Sequence, residues 1–278
     1  MRTTVIARFT VKEALRRRVI LAGFGLTVVF LTLFAIGAHF AVLEIETSSL
    51  LLPSFRPVVI SQLLLSGVWV VSMASALLAI FASAGTLGAE IESHTLHAIA
   101  SKPVGRWEIV AGKWLGLAAM LTTYTTLAGS AVILVVWVRA GYVPPSPPLA
   151  LLALIVQGLV LVSISLLGSA VLPPLVTGIS VFMLHAIAMV GGLQEQIGYV
   201  LRNEVMQGLG VCISLIIPSD AMARLAAASL QATSGATTVM PGPFNVPAPP
   251  SAWMMAYAVL YLAACVLGAI EGFERRDL

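Results

Sequence analysis

Charge is scarce in this sequence. Asp, Glu, Lys and Arg make up 10% of its 278 residues, where an ordinary soluble domain carries about a quarter. A water-soluble fold could not cover its surface with hydrated groups from so small a supply. Cysteine is scarcer still. Cys212 and Cys265 are the whole set, too few for a disulfide framework, and both read as small hydrophobes lying at different depths. Several catalytic signatures are missing as well. The sequence has no H-E-x-x-H pair, no G-x-S-x-G elbow and no intramembrane Asp dyad, which speaks against metalloprotease and serine-hydrolase chemistry. The phosphate-cradling G-x-x-x-x-G-K-[ST] loop is absent too. Its nearest approach, Gly112-Lys113, has Trp107 where the first Gly belongs and Trp114 where Ser or Thr should meet Mg²⁺. A net charge of +3 without a basic stripe leaves no nucleic-acid footprint. No internal repeat, heptad array or second soluble domain is visible.

Apolar residues fill the space that charge leaves. They form 59% of the chain, and the mean hydropathy is +1.01. Six runs are long enough to cross a bilayer core, which needs about 20 apolar residues each. They lie at residues 19–43, 58–84, 109–138, 149–172, 175–193 and 253–273. Each must be helical, because lipid offers no partner to an open N–H or C=O. The expected fold is therefore all-α: one polytopic transmembrane domain over 1–278 with six spans. Pro173-Pro174 makes a very tight turn between the fourth and fifth. The stretch 205–217 is too short to span and reads as an interfacial or re-entrant helix. The first run is longer than a signal-peptide core and lacks a clear A-x-A site, so it reads as an uncleaved helix.

Basic residues set the expected orientation. With a cytoplasmic N-terminus, one set of loops holds Arg2, Arg8, Lys12, Arg16, Arg17, Arg18, Lys102, Arg106, Lys113, Arg275 and Arg276. The opposite set holds Arg56, Arg139, Arg202 and Arg224. The balance of 11 to 4 puts both termini in the cytoplasm, as an even number of spans requires. The outer connection at 142–149 carries PPSPP, a stiff polyproline-like turn. The outer segment 194–252 reads as a long loop, with a Gly/Pro/Ser-rich part at 233–251 that serves as a flexible connection or as a lid or partner-binding loop.

The loop at 85–108, between spans two and three, concentrates ionisable groups in a chain otherwise poor in them. Glu90, Glu92, His94, His97 and Lys102 fall within it. A helix over 89–100 would place Ile91 and Ile99 on one face with Leu96 nearby. Lys102-Pro103 would end it, since proline disfavours helical geometry in the residue before it. A second helix would start near Arg106 and run into the third span. Two readings stay open on these residues: a docking helix for another protein, or a solvated linker.

The run EIESHTLHAIASKPVGRWEIVAGKWLG resembles the cytoplasmic segment of permease subunits of type-2 ATP-binding-cassette (ABC) exporters. Glu90, Glu92, Thr95 and Leu96 match that family's acidic E-x-E-x-x-T-L stretch. Ser101, Lys102, Pro103, Val104, Arg106, Glu108 and Ile109 match its S-K-P-V-x-R-x-E-I, and Gly112-Lys113 its G-K. The family's Gly before Thr-Leu is replaced by Ser93-His94. The C-terminal FERRDL and the basic lead-in through Arg18 are also similar to the family's ends. The resemblance implies a multi-pass permease in a prokaryotic cell (inner) membrane that holds no cofactor itself. ATP and Mg would be bound by a separate ABC ATPase subunit. It further implies a second permease copy, in a homodimer or pseudo-symmetric heterodimer, with a substrate path between the two. The ATPase-coupling surface it implies comprises Glu90, Ile91, Glu92, Thr95, Leu96, Ile99, Lys102, Pro103 and Arg106.

Two other classes compete with this reading. An intramembrane enzyme would need reactive groups at depth, and His185 in span five is the deep candidate. It serves either as a buried interhelical hydrogen bond or as part of a translocation path. Ser163, Ser165 and Ser169 are expected to bond across to neighbouring helices. Met73, Met120, Met183 and Met189 could suggest copper with His185, but methionines on different helices are usually packing. An ion-coupled secondary transporter would carry charged residues at mid-membrane, whereas the spans as drawn hold almost no acid.

Overall fold

The computed structural model describes residues 2–16, 18–47, 56–86, 105–232 and 244–275. Within them the chain is helical, without strands, in nine helices. These are α1 (Arg2–Arg16), α2 (Arg18–Thr47), α3 (Arg56–Ser83), α4 (Arg106–Ala140), α5 (Pro147–Val171), α6 (Pro174–Val200), α7 (Glu204–Ile216), α8 (Ser219–Leu230) and α9 (Ala252–Glu274). Six of them, α2 to α6 and α9, are long and apolar enough to cross a membrane. The all-α, six-span expectation agrees with this.

Local chemistry sets the helix ends. At the start of α4, Glu108 reaches back to accept the Gly105 N–H at 3.2 Å, using one of the donors that a first turn leaves open. Its far end stops at Gly141, whose φ of +64° suits a residue without Cβ. Proline opens α5 and α6, where its missing N–H costs nothing. Asn203 caps α7 by accepting from the N–H groups of Val205 and Met206.

The bundle is built around α5, which is the most enclosed span, while α2 and α9 lie at the periphery with most of their surface exposed. Because lipid is as apolar as leucine, burial alone gives such helices little reason to associate, and polar contacts and close packing matter more. Several polar bridges cross the interior. Thr27 and Tyr124 join α2 to α4 at 2.7 Å, Ser75 and Thr125 join α3 to α4 at 3.1 Å, and Ser72 donates to Gln157 of α5 at 2.9 Å. Trp114 donates to Ser163 at 2.9 Å. Ser169 instead bonds to the Leu166 carbonyl on its own helix, and the buried Ser165 hydroxyl has no partner among the described residues.

The segment 194–252 departs most from its expected form. Residues 194–200 continue α6, and the short helix expected at 205–217 is present as α7. After a bend of 111° the chain forms a further helix, α8, where the sequence predicts a loop. Pro218 sits at the break, and the alanine-rich run that follows has strong helix propensity. The pair α7–α8 is re-entrant. It leaves the end of α6, reaches mid-height at Ser219 beside His185, and returns to the end it started from. There Ser146 donates its N–H to Ser229, and the Tyr142 hydroxyl donates to the Leu230 carbonyl, each at 3.0 Å. Burial pushes the Tyr142 phenol up to about 12, so it remains a donor. Close approach of α7 to α6 depends on Gly210, where a Cβ would sit 2.6 Å from the Gly191 carbonyl oxygen.

Candidate functional site

Two regions gather the polar chemistry of the chain, one at the end of the bundle where α3 stops and α4 starts, the other inside it.

At the first, Lys113 is buried one to two turns into α4, and its ammonium donates to the Thr86 carbonyl just beyond α3. Arg106, the first residue of α4, donates from Nη1 to the Glu274 carbonyl at the end of α9, at 2.9 Å. Helix α1 packs along α4 in the same region, burying Thr10 and Ala14. The ends of α3, α4 and α9 are thus tied together where the chain passes through 87–104. Of the residues expected to form the coupling surface, Arg106 is placed in this base. Glu90, Ile91, Glu92, Thr95, Leu96, Ile99, Lys102 and Pro103, with the helix expected over 89–100, lie outside the described residues. The helix expected to restart near Arg106 is there, and it continues unbroken as α4.

The second region was not anticipated. Arg224 of α8 is 6% exposed. Its Nε donates to Asp220 Oδ2 at 2.9 Å, and its Nη2 lies 2.8 Å from Glu195 Oε2 of α6 and 3.0 Å from Ser214 Oγ of α7. One guanidinium therefore holds three helices together with charge-assisted bonds. Gly192 makes room for it, since a Cβ there would fall 1.9 Å from Asp220 Oδ2. At the start of α8, His185 Nδ1 and Ser219 Oγ are 2.9 Å apart, which gives His185 an interhelical hydrogen bond to the tip of the hairpin. Two acids enter the bundle here from outside the spans as drawn. Glu195 belongs to α6, which runs seven residues beyond its expected end at 193, and Asp220 is buried against it. Both are tolerated because Arg224 compensates them. The i, i+4 spacing of Asp220 and Arg224 was a legible signal of a helical ion pair.

Beside the triad lies a cavity of about 290 Å³ between α3, α6, α8 and residues 244–246. The last of these form a strap. Gln62 of α3 donates to Asn245, and Val246 donates to Gln231 at 3.0 Å. Met73 and Met189 line the cavity, whereas Met120 is buried elsewhere and Met183 is exposed. The four methionines thus do not converge on His185. No group of three or more His, Cys, Asp or Glu side chains is placed to hold a metal among the described residues. Cys212 is exposed, Cys265 is buried, and neither is paired.

Six apolar spans around a polar-stapled centre, with a basic anchor where α3 ends and α4 begins, define a multi-pass membrane protein. Residues 4–278 match the family described as ABC-2 family transporter protein, nearly the whole chain, and the protein belongs to that family. No curated protein matches the sequence. Members of this family are the membrane component of ABC transporters rather than the ATPase.

Proposed function

We propose that the chain is the permease subunit of an ATP-driven exporter in a prokaryotic inner membrane, working as a dimer beside separate ATPase subunits. The observation that carries this reading is the family match over residues 4–278, combined with the absence of any phosphate loop in the sequence. In the proposed orientation both termini and segment 87–104 face the cytoplasm, where a nucleotide-binding partner resides. The segment 89–100 acts as a coupling helix, offering Ile91, Leu96 and Ile99 as an apolar edge and Glu90 and Glu92 as acids for basic groups on the partner. Support for a lever comes from the base of this segment. Lys113 and Arg106 bond the start of α4 to the flanks of α3 and α9, so a push on the segment would move three spans together. His185 and the re-entrant pair are then part of the path or its outer gate.

The test is purification of the tagged chain under mild conditions, followed by identification of what accompanies it and measurement of ATP turnover. The expected result is an ABC ATPase in the complex, with turnover that disappears when that subunit is stripped away. Robust turnover by the stripped permease, or a complex in which no ATPase is found, would overturn the proposal.

A further inference from the structure

The cavity beside the ion triad holds about 290 Å³, and its walls are mostly apolar. Leu65, Val68 and Leu193 line it together with Trp69 and Phe244, whose rings sit 6.2 Å apart. Small-molecule sites are built this way, as apolar clefts with a few placed polar groups. The charged groups of this lining are Asp220 and Arg224.

Those two face the cavity unequally. Arg224 gives its Nε to Asp220 and its Nη2 to Glu195 and Ser214, while its Nη1 is enclosed. The guanidinium therefore has no N–H left for a molecule in the cavity. Asp220 is different, although more than nine-tenths buried. Its Oδ2 accepts from Arg224, but its Oδ1 accepts no bond from the described residues. The Asp220 side chain keeps 13% of its surface open, against 6% for Arg224, and that surface lines the cavity.

The charges behind this surface do not cancel. Glu195 and Asp220 answer a single guanidinium, which leaves one negative charge in excess. In a place largely shut off from water, little solvent screens that excess, and it attracts cations strongly. A bare metal ion is not favoured, because no three His, Cys, Asp or Glu side chains among the described residues converge to replace its hydration shell. An organic cation needs no such ligand set, and aromatic faces attract it directly.

We propose that this cavity binds a small organic cation of the alkyl- or arylammonium class, its charged head beside Asp220 Oδ1 and its apolar groups against Trp69, Leu193 and Phe244. The proposal stands on the cavity and does not depend on the exporter reading. Charge, with shape held constant, decides what binds.

The experiment compares phenyltrimethylammonium with tert-butylbenzene, which has the same shape and no charge. The full chain in nanodiscs of neutral lipid is photolabelled with a diazirine-bearing phenyltrimethylammonium, and cross-links are mapped by mass spectrometry. Labelling should saturate and fall within 65–73, 189–196 or 220–227. Free concentrations are corrected for partition into the disc. Unlabelled cation should then displace the label at a concentration roughly tenfold or more below that of tert-butylbenzene. Asp220→Asn removes the excess charge and leaves Glu195 to pair with Arg224, so no charge is stranded. It should weaken the saturable labelling roughly tenfold or more. The comparison on the parent chain needs no variant, so misfolding of this one leaves the test intact. Labelling that never saturates, or that maps outside the cavity, overturns the proposal. Equal displacement by the charged and uncharged compounds does the same, as does undiminished labelling of a folded Asp220→Asn chain.

Discussion

Arg224 Nη2 lies 2.8 Å from Glu195 Oε2, and this ion pair fastens the re-entrant hairpin to α6. The two residues are 29 positions apart in a chain with only 27 formally charged Asp, Glu, Lys and Arg side chains. Both partners are largely enclosed, so the pair cannot be exchanged for water without moving the hairpin. Breaking such a pair strands a charge, which is worse than never having had one.

Arg224→Ala should therefore destabilise the protein by about 3–5 kcal/mol, because Glu195 and Asp220 are left facing each other without compensation. Arg224→Lys should fall between, as an ammonium keeps the charge but not the planar fork. Thermal unfolding in detergent, followed by the loss of soluble monodisperse protein, is the measurement. Unchanged melting of the alanine variant would mean that the hairpin is held by packing alone.

The contact between His185 and Ser219 should be worth little by comparison. Interhelical hydrogen bonds in membranes average about 0.6 kcal/mol and reach about 1.7. A double-mutant cycle with His185→Phe and Ser219→Ala should return a coupling energy in that range. A coupling indistinguishable from zero would assign the position of the hairpin tip to the triad and to Gly210.

Topology is tested by cysteine accessibility in a background with Cys212 and Cys265 replaced. Ser234→Cys should react with a membrane-impermeant maleimide in intact cells, and Ser101→Cys only after permeabilisation. The 11-to-4 division of basic residues motivates this expectation. Labelling of Ser101→Cys from outside would reverse the proposed orientation.

The coupling segment is tested by Ile91→Asp/Leu96→Asp. Removing apolar anchors from a packed interface costs roughly 1–3 kcal/mol each, so the double variant should insert normally and lose its ATPase partner on purification. A variant that still assembles and stimulates ATP turnover would make the segment a solvated linker.

The spans were legible because their cause is local. A run such as residues 149–172 is apolar throughout, and in lipid no conformation but a helix satisfies its backbone. Observed ends therefore fall within two to four residues of the expected ones for most spans, as with Pro147–Val171. The fifth is the exception. Gln194, Glu195 and Gln196 ended its apolar run on paper, but the backbone continues helically to Val200, since polar side chains with partners across an interface need not leave the helix. Helix α8 carries a helical signal in its alanine-rich run and in the spacing of Asp220 and Arg224, but its burial is not legible. Its apolar content is that of a surface helix, and nothing in twelve residues announces that a neighbouring span will enclose it.

The sequence by itself determined that the chain has six runs long and apolar enough to cross a bilayer, and that it contains no phosphate-loop motif. Those properties depend on residues taken singly or in short runs, and each run answers to the solvent around it. Only the tertiary structure decided that Glu195 meets Arg224, that His185 pairs with Ser219, and that a cavity opens beside them. Such contacts join residues far apart in the chain, and their energies exist only when separate helices have packed. A charge read as an outer-loop residue becomes a buried one when the chain folds back on itself at Pro218, and no window of sequence contains that event.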